Sequence, residues 1–328
     1  MKKYFALLFL FVNCCVTVNG QFYKKNSGLA HTFSIVARDT ATGEMAVGVQ
    51  SHWFSVGTAV PWGEAGVGVV ATQSFVNKSY GILGLELMKA GKPAPEALKE
   101  LLGKDEGREV RQVAMIDAKG NVDAYTGKNC IAYASDIVGN NFSVQSNMML
   151  GDQVCAAMAK AYKSNMGLPL AERVLAAMQA AQAVGGDIRG RQSAAILVVA
   201  GKKSAQPWND KLIDLRVDDN NYPLVEMDRL LRLLRAYQHM DAGDLATEKN
   251  DMPLAMKEYG AAMKMFPANL EMKYWTAITL ANNKQVKRAA AMLQNIYKLD
   301  ANWRELTRRL PKVNLLTVST NELKELLK

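Results

Sequence analysis

Thr32 is the first residue in this chain whose type and place suggest chemistry. It opens HTFSIVARDTATGEMAVGVQ, residues 31 to 50, which alternates apolar and polar residues, turns at Thr42-Gly43 and alternates again. A threonine hydroxyl is a poor nucleophile until a base removes its proton. The most economical base is the threonine's own α-amino group, which is free only when threonine is the first residue. The competing reading is a β-branched residue that suits a strand.

A second constellation is Asp187-Ile188-Arg189-Gly190-Arg191-Gln192-Ser193. Arg189 and Arg191 can grip a carboxylate or phosphate with paired donors, and Gln192 or Ser193 can hydrogen-bond a reacting carbonyl. Equally, Asp187 can pair with an arginine to fix the loop, with Gly190 permitting a tight turn. Amides at strand ends supply a third set: Gln73 and Asn77 after one strand and Asn147 at another suit an oxyanion hole, or turns. Ser51-His52 is a poor nucleophile-base pair, because neighbours in a strand point to opposite faces. No GxSxG elbow is present. The three histidines, His31, His52 and His239, are scattered without metal-ligand spacing, so no metal site is expected.

The elements that must position these residues follow from periodicity. Residues 31–39 and 44–51 predict a hairpin, and 66–73 a third strand buried on both faces. Helices follow at 80–90 and 95–102, split by Gly91-Lys92-Pro93. Strands at 111–117, 121–125 and 142–147 come next, then Ala- and Met-rich helices at 152–164 and 170–184. SAAILVVA, residues 193 to 200, predicts a buried central strand, and 211–217 an edge strand. Paired helices between blocks of mainly antiparallel strands predict an α/β protein, a four-layer αββα sandwich. That order speaks against a doubly wound parallel sheet, and no GxGxxG follows a strand to argue for the dinucleotide fold.

Beyond Asn220-Asn221-Tyr222-Pro223 the pattern is almost purely helical and repeats at a spacing of 34. Gly243 matches Ala277, Ala246 matches Leu280, Ala255 matches Ala289, Tyr259 matches Leu293 and Ala262 matches Ile296. Small residues where paired helices cross resemble a tetratricopeptide (TPR) repeat, giving an all-α module over 221–328. Two units bury little alone, so the module is expected to lean on the first domain or on flanking helices at 225–234 and 322–327. Tyr237, Tyr259, Tyr274 and Trp275 are expected between the repeats, or along a concave face that holds a protein partner.

Composition bounds the setting. Lys2-Lys3, the apolar run Tyr4–Val12 and Val18-Asn19-Gly20 read as a signal peptide over residues 1–20. The expected location is periplasmic or secreted, with lipidation at Cys14-Cys15 disfavoured by Asn13. No later run is long enough for a membrane span. The chain carries +9, of which Lys2 and Lys3 leave with the leader, and 17 basic against 12 acidic residues lie from 221 onward. A solvated helical face accounts for that excess, with an anionic polymer or lipid as the alternative. Nucleic acid is not expected as a partner. Cys130 and Cys155 remain after the leader and could pair in an oxidising compartment.

HTFSIVARD, GEMAVGVQS, VPWGEAGVGVVATQSFVN, VQSN, GGDIRGRQSAAILVV and DLRVDDNNYP together resemble the bacterial domain-of-unknown-function family 1028 over residues 31 to about 234. That family is grouped by fold with the N-terminal nucleophile (Ntn) hydrolases. The resemblance implies an Ntn-hydrolase-like domain over 31–220 and Thr32 as nucleophile, with Gln73, Asn147 or Arg191 stabilising the oxyanion. Asn77, Asp187, Arg189, Gln192 and Ser193 would then hold a peptide or cell-wall fragment. No cofactor is implied, and a homo-oligomer is expected. One departure matters: cleavage after Gly20 leaves residues 21–31 ahead of Thr32, so a second processing step is needed. The alternative is an inactive sandwich that binds partners through its helical module.

Overall fold

The described residues of the computed structural model are 29–328, so the leader and most of the segment ahead of Thr32 lie outside them. Two sheets, antiparallel throughout, organise the first two thirds of the chain. The first sheet holds β1 (Leu29–Ala30), β4 (Pro61–Glu64), β5 (Gly68–Phe75), β6 (Arg111–Asp117) and β7 (Val122–Thr126). Its order is β1-β5-β6-β7, with β4 on the same edge of β5 beyond β1. The second sheet holds β2 (Thr32–Arg38), β3 (Met45–Ser51), β8 (Ser135–Gly139), β9 (Phe142–Ser146), β10 (Ser193–Val199) and β11 (Lys211–Val217), in the order β11-β10-β3-β2-β9-β8. The chain therefore passes from the first sheet to the second at His31.

Period-2 alternation sorts each strand's side chains between two cores. Val36, Met45, Val47 and Val49 of the second sheet meet Val69, Ala71, Ala114 and Ile116 of the first in one buried cluster. The opposite face of the second sheet packs Phe33, Ile35 and Val144 against α3 (Val154–Ser164) and α4 (Leu170–Ala183). On the first sheet, Val70, Val113 and Met115 meet α1 (Ser79–Lys89) and α2 (Ala94–Lys104). Gly48 on β3 sets how closely α4 can lie, since a Cβ there would stand 2.3 Å from Val174 Cγ1.

The helices and most strands fall where periodicity places them. Three strands escaped it, the first being β1, which is only two residues long. β4 begins with proline and is half-buried along its length, and β8 is half-buried with Ser135 and Val138 exposed, so neither carries the apolar alternation that marks a strand. The strand expected at 66–73 runs instead from Gly68 to Phe75, because Gly66 takes a left-handed turn at φ 69°. Cys130 and Cys155 do not pair: Cys130 Sγ meets the Arg111 carbonyl at 3.3 Å, and Cys155 Sγ meets Ser146 Oγ at 3.2 Å.

The remaining chain is helical: α5 (Pro223–Glu248), α6 (Met252–Met265), α7 (Leu270–Asn282), α8 (Val286–Leu299), α9 (Asn302–Arg309) and α10 (Thr320–Leu326). The capping helix expected at 225–234 is not separate. It is the first half of α5, where Leu224, Met227 and Leu231 join the α3–α4 core. Arg235 adds an ion pair to Glu172 of α4 at 2.8 Å. All ten positions of the 34-residue spacing are buried. Gly243 is needed where α5 meets α6, since a Cβ would fall 2.4 Å from the Tyr259 ring. Among the described residues no helix is long and apolar enough to cross a membrane.

Candidate functional site

One end of the two facing sheets carries a dense polar cluster. Register alone brings in the first members: Thr32 stands opposite Ser51, and Ser51 opposite Ser193, so three hydroxyl residues line one row of the second sheet. From the first sheet come Gln73 near the end of β5 and Gln112 on β6, paired in register. Asn147 follows β9, and its backbone N–H donates to the Thr32 carbonyl at 3.0 Å. Thr32, Gln73, Gln112 and Asn147 are all buried.

Burying so many amides is tolerable only if they satisfy one another. Gln112 is their hub. Its Oε1 accepts from Gln73 Nε2 at 2.7 Å and from Asn147 Nδ2 at 2.8 Å. Its Nε2 donates to the Ser146 carbonyl at 2.9 Å and to Thr126 Oγ1 at 2.8 Å. Asn147 Oδ1 in turn meets His31 Nδ1 at 2.7 Å. Because the amide nitrogen of Asn147 is spent on Gln112, its oxygen must accept, so His31 Nδ1 carries the proton. His31 Nε2 is then a bare lone pair, buried without a partner. Burial pulls the imidazole below its ordinary pKa and the Arg189 guanidinium adds to that, with Asn147 and Asp187 opposing. The buried site therefore favours the neutral ring.

The backbone ahead of Thr32 is gripped as firmly. The His31 carbonyl oxygen accepts from Ser51 Oγ at 2.6 Å and from Arg189 Nη2 at 2.8 Å. Arg189 also donates to both oxygens of Asp187, at 3.1 and 2.7 Å, and Asp187 receives the His52 N–H as well. The hydroxyl of Thr32 donates to the Ala30 carbonyl at 2.5 Å. Strain collects here too: Ser74, after Gln73, and Met148, after Asn147, are non-glycine residues at φ 68° and 59°.

Residues 32–227 match the family described as "Family of unknown function (DUF1028)". The chain belongs to this family. A solved structure similar to it is that of protein SPO2555 from Silicibacter pomeroyi, a DUF1028 member, at 28% identity and a TM-score of 0.56. The alignment covers 62% of this chain and 85% of that one. No curated protein matches. The DUF1028 match begins at Thr32 itself, leaving β1 and His31 outside, and it ends within α5.

Of the expected site residues in this DUF1028 chain, Thr32, Gln73, Asn147, Asp187 and Arg189 come together. The other four take different work. Asn77 accepts from Ser79 N and Oγ at 3.1 and 2.7 Å and so starts α1. Ser193 Oγ donates to the Trp53 carbonyl at 2.5 Å and accepts the Val56 N–H, tying down the loop after β3. Gln192 Nε2 reaches Asp219 at 3.2 Å. Arg191 lies over the Tyr222 ring, 4.8 Å from its centroid. The sequence points to Ser51 only as a poor partner of His52 and to His31 only among the scattered histidines, and it gives Gln112 no role. For Gln112 a signal existed: it stands immediately before the apolar run Val113–Ile116 in a strand buried on both faces.

Arg191 and Tyr222 border an open cleft of about 660 Å³ on the helix-covered side of the second sheet. Gln50 lies at its base, and the 185–191 loop, the end of α4 and the start of α5 wall it. Thr32 does not line it. Among the described residues there is no cluster of three or more metal-ligating side chains.

Proposed function

We propose that this protein is an exported amide-bond hydrolase of the Ntn type, latent in the intact chain, with Thr32 as its nucleophile. A helical pair on the outer face of each of two facing antiparallel sheets supports the αββα reading, and the helix pairs α5–α6 and α7–α8 support the TPR-like one. The observation that carries the proposal is the His31 carbonyl. It belongs to the peptide bond just before the candidate nucleophile, and its oxygen holds two side-chain donors, Ser51 Oγ at 2.6 Å and Arg189 Nη2 at 2.8 Å. Donors aimed at an oxygen that gains charge lower the barrier to attack on its carbon.

Scission would run in two steps. Thr32 Oγ1 attacks the His31 carbonyl carbon, the C–N bond breaks and the proton passes to nitrogen, leaving an ester. Water then hydrolyses the ester, releasing a His31 carboxylate and restoring the hydroxyl on a Thr32 that now carries a free α-amine. That amine is the base the hydroxyl lacks in the intact chain. Loss of residues 29–31 would open the buried end of the sheets to a peptide or cell-wall fragment, with the amide nitrogens of Gln73 and Asn147 as oxyanion donors once they turn from Gln112.

A second reading is favoured by one observation: the Thr32 hydroxyl is buried and donated to Ala30, as in a static scaffold. Its function would be binding through the paired helices. Intact-mass measurement of the purified full chain separates the two. A species beginning at Thr32, absent in Thr32→Ala, supports the hydrolase; a chain that keeps residues 29–31 on prolonged incubation sinks it.

A further inference from the structure

The cleft beside Arg191 has the makings of a binding site of its own. Three features converge on it. The first is positive potential without a counter-charge. Arg191 is held over Tyr222 at 4.8 Å and has no carboxylate at ion-pair distance among the described residues. It stands beside the start of α5, a helix of 26 residues whose N-cap residue, Tyr222, makes no side-chain cap bond. Pro223 has no N–H and the Val225 and Glu226 N–H groups already bond the Tyr222 carbonyl, so the first turn offers an anion its dipole, and its acidic Glu226 is paired with Arg229. Helix N-terminus and guanidinium together favour an anion, and a planar carboxylate matches the guanidinium fork. Asp187 also borders the cleft, but Arg189 neutralises it.

The second feature is an unmet hydrogen bond. Gln50 is fully buried at the base of the cleft. Its Nε2 donates to Gln182 Oε1 at 2.8 Å, and Gln182 Nε2 donates to the Gly185 carbonyl at 3.3 Å. That chain fixes both amide orientations and leaves Gln50 Oε1 an acceptor with no donor. A buried acceptor without a partner costs about 1–3 kcal/mol, so a ligand N–H is what this position lacks. The third feature is apolar. Leu150, Ile188 and Val225 border the same cleft and are 59%, 57% and 69% exposed. Large aliphatic side chains left in water around one concavity mark a place for an apolar group.

We propose that this cleft binds the C-terminal residue of a peptide, or an equivalent N-acylated amino acid, with an aliphatic side chain. The carboxylate sits at Arg191 and the α5 N-terminus, the amide N–H answers Gln50 Oε1, and the side chain lies against Leu150, Ile188 and Val225. A bare anion satisfies only the first feature and an apolar molecule only the third. The site goes beyond the hydrolase reading and stands whether or not Thr32 is released, since Thr32 faces the other side of the sheet.

Calorimetric titration of the full chain with N-acetyl-L-leucine tests this. Saturable binding is expected, weakened about tenfold or more in N-acetyl-L-leucinamide, which lacks the carboxylate. The O-acetyl ester analogue, which keeps the carboxylate but lacks the N–H, is expected to weaken by about fivefold or more. Arg191→Ala should lose about tenfold or more and Arg191→Lys should recover part of it, both with an unchanged melting curve. Equal binding of acid and amide, no saturation by the acid, undiminished binding by folded Arg191→Ala, or inorganic phosphate binding as tightly as the acid would each overturn it. None of these readouts depends on cleavage before Thr32, so this proposal and the hydrolase reading can fail separately.

Discussion

Arg189 and Arg191 leave the same loop two residues apart, with Gly190 at φ 113° between them, and they end in opposite circumstances. Arg189 turns toward the sheets, holds both oxygens of a fully buried Asp187 and reaches the His31 carbonyl. Arg191 turns toward the helices, has a tyrosine face for company and borders open space. The first is wired into a closed network in which nearly every donor has an acceptor. The second is left available. A charge that is spent holds structure, and a charge that is unspent invites a ligand. Two residues with the same side chain therefore predict different phenotypes.

The largest effect should come from cutting the network at Asp187. Asp187→Ala leaves the Arg189 guanidinium partly buried without its partner and strips the His52 N–H of an acceptor. A loss of about 3 kcal/mol in urea unfolding is expected; a loss below half of that would erase the contrast between the two arginines. Gln112→Leu comes next. It removes the one acceptor shared by Gln73 and Asn147 and should cost about 2 kcal/mol, with faster amide exchange at Asn147, whose N–H is bonded to Thr32.

His31 gives a smaller effect that separates the closed region by pH. Its folded pKa lies below the ordinary value of 6.5, so between the two the unfolded chain binds a proton that the native chain does not. Stability should therefore be level above pH 6.5 and fall as pH drops below it. His31→Asn should flatten that slope below pH 6.5. An unchanged slope would mean that His31 is not held neutral. The smallest effect belongs to Arg191→Ala, expected to shift stability by less than about 0.5 kcal/mol. A large loss there would show Arg191 to be structural after all.

Much of the fold was legible because the strands and helices carry strong periodicity. HTFSIVAR and MAVGVQS alternate cleanly, and they pair as β2 and β3 with Thr32 opposite Ser51. β4 and β8 were not legible, since their side chains are only half-buried and nothing in PWGE or SDIVG alternates. The candidate site was legible by residue type but not by grouping. Thr32, Gln73, Asn147 and Arg189 lie in four different elements or loops, and only the stacking of the two sheets brings them together. Asn77, Gln192 and Ser193 looked equivalent to them as polar residues at strand ends. What separates the two groups is which side chains the neighbouring loops consume.

The sequence alone determined the local periods, the tight turns and the 34-residue spacing that fills the helix crossings, because these depend on neighbours within a few turns or strands. Tertiary structure alone decided that Gln112 joins amides from two sheets, that α5 runs unbroken from the α3–α4 core into the helical pairs, and that Arg189 closes a network while Arg191 faces a cleft. Each of these rests on a contact between residues far apart in the chain. Hydrogen-bond satisfaction is a property of the whole set of partners, and no single stretch of sequence contains that set.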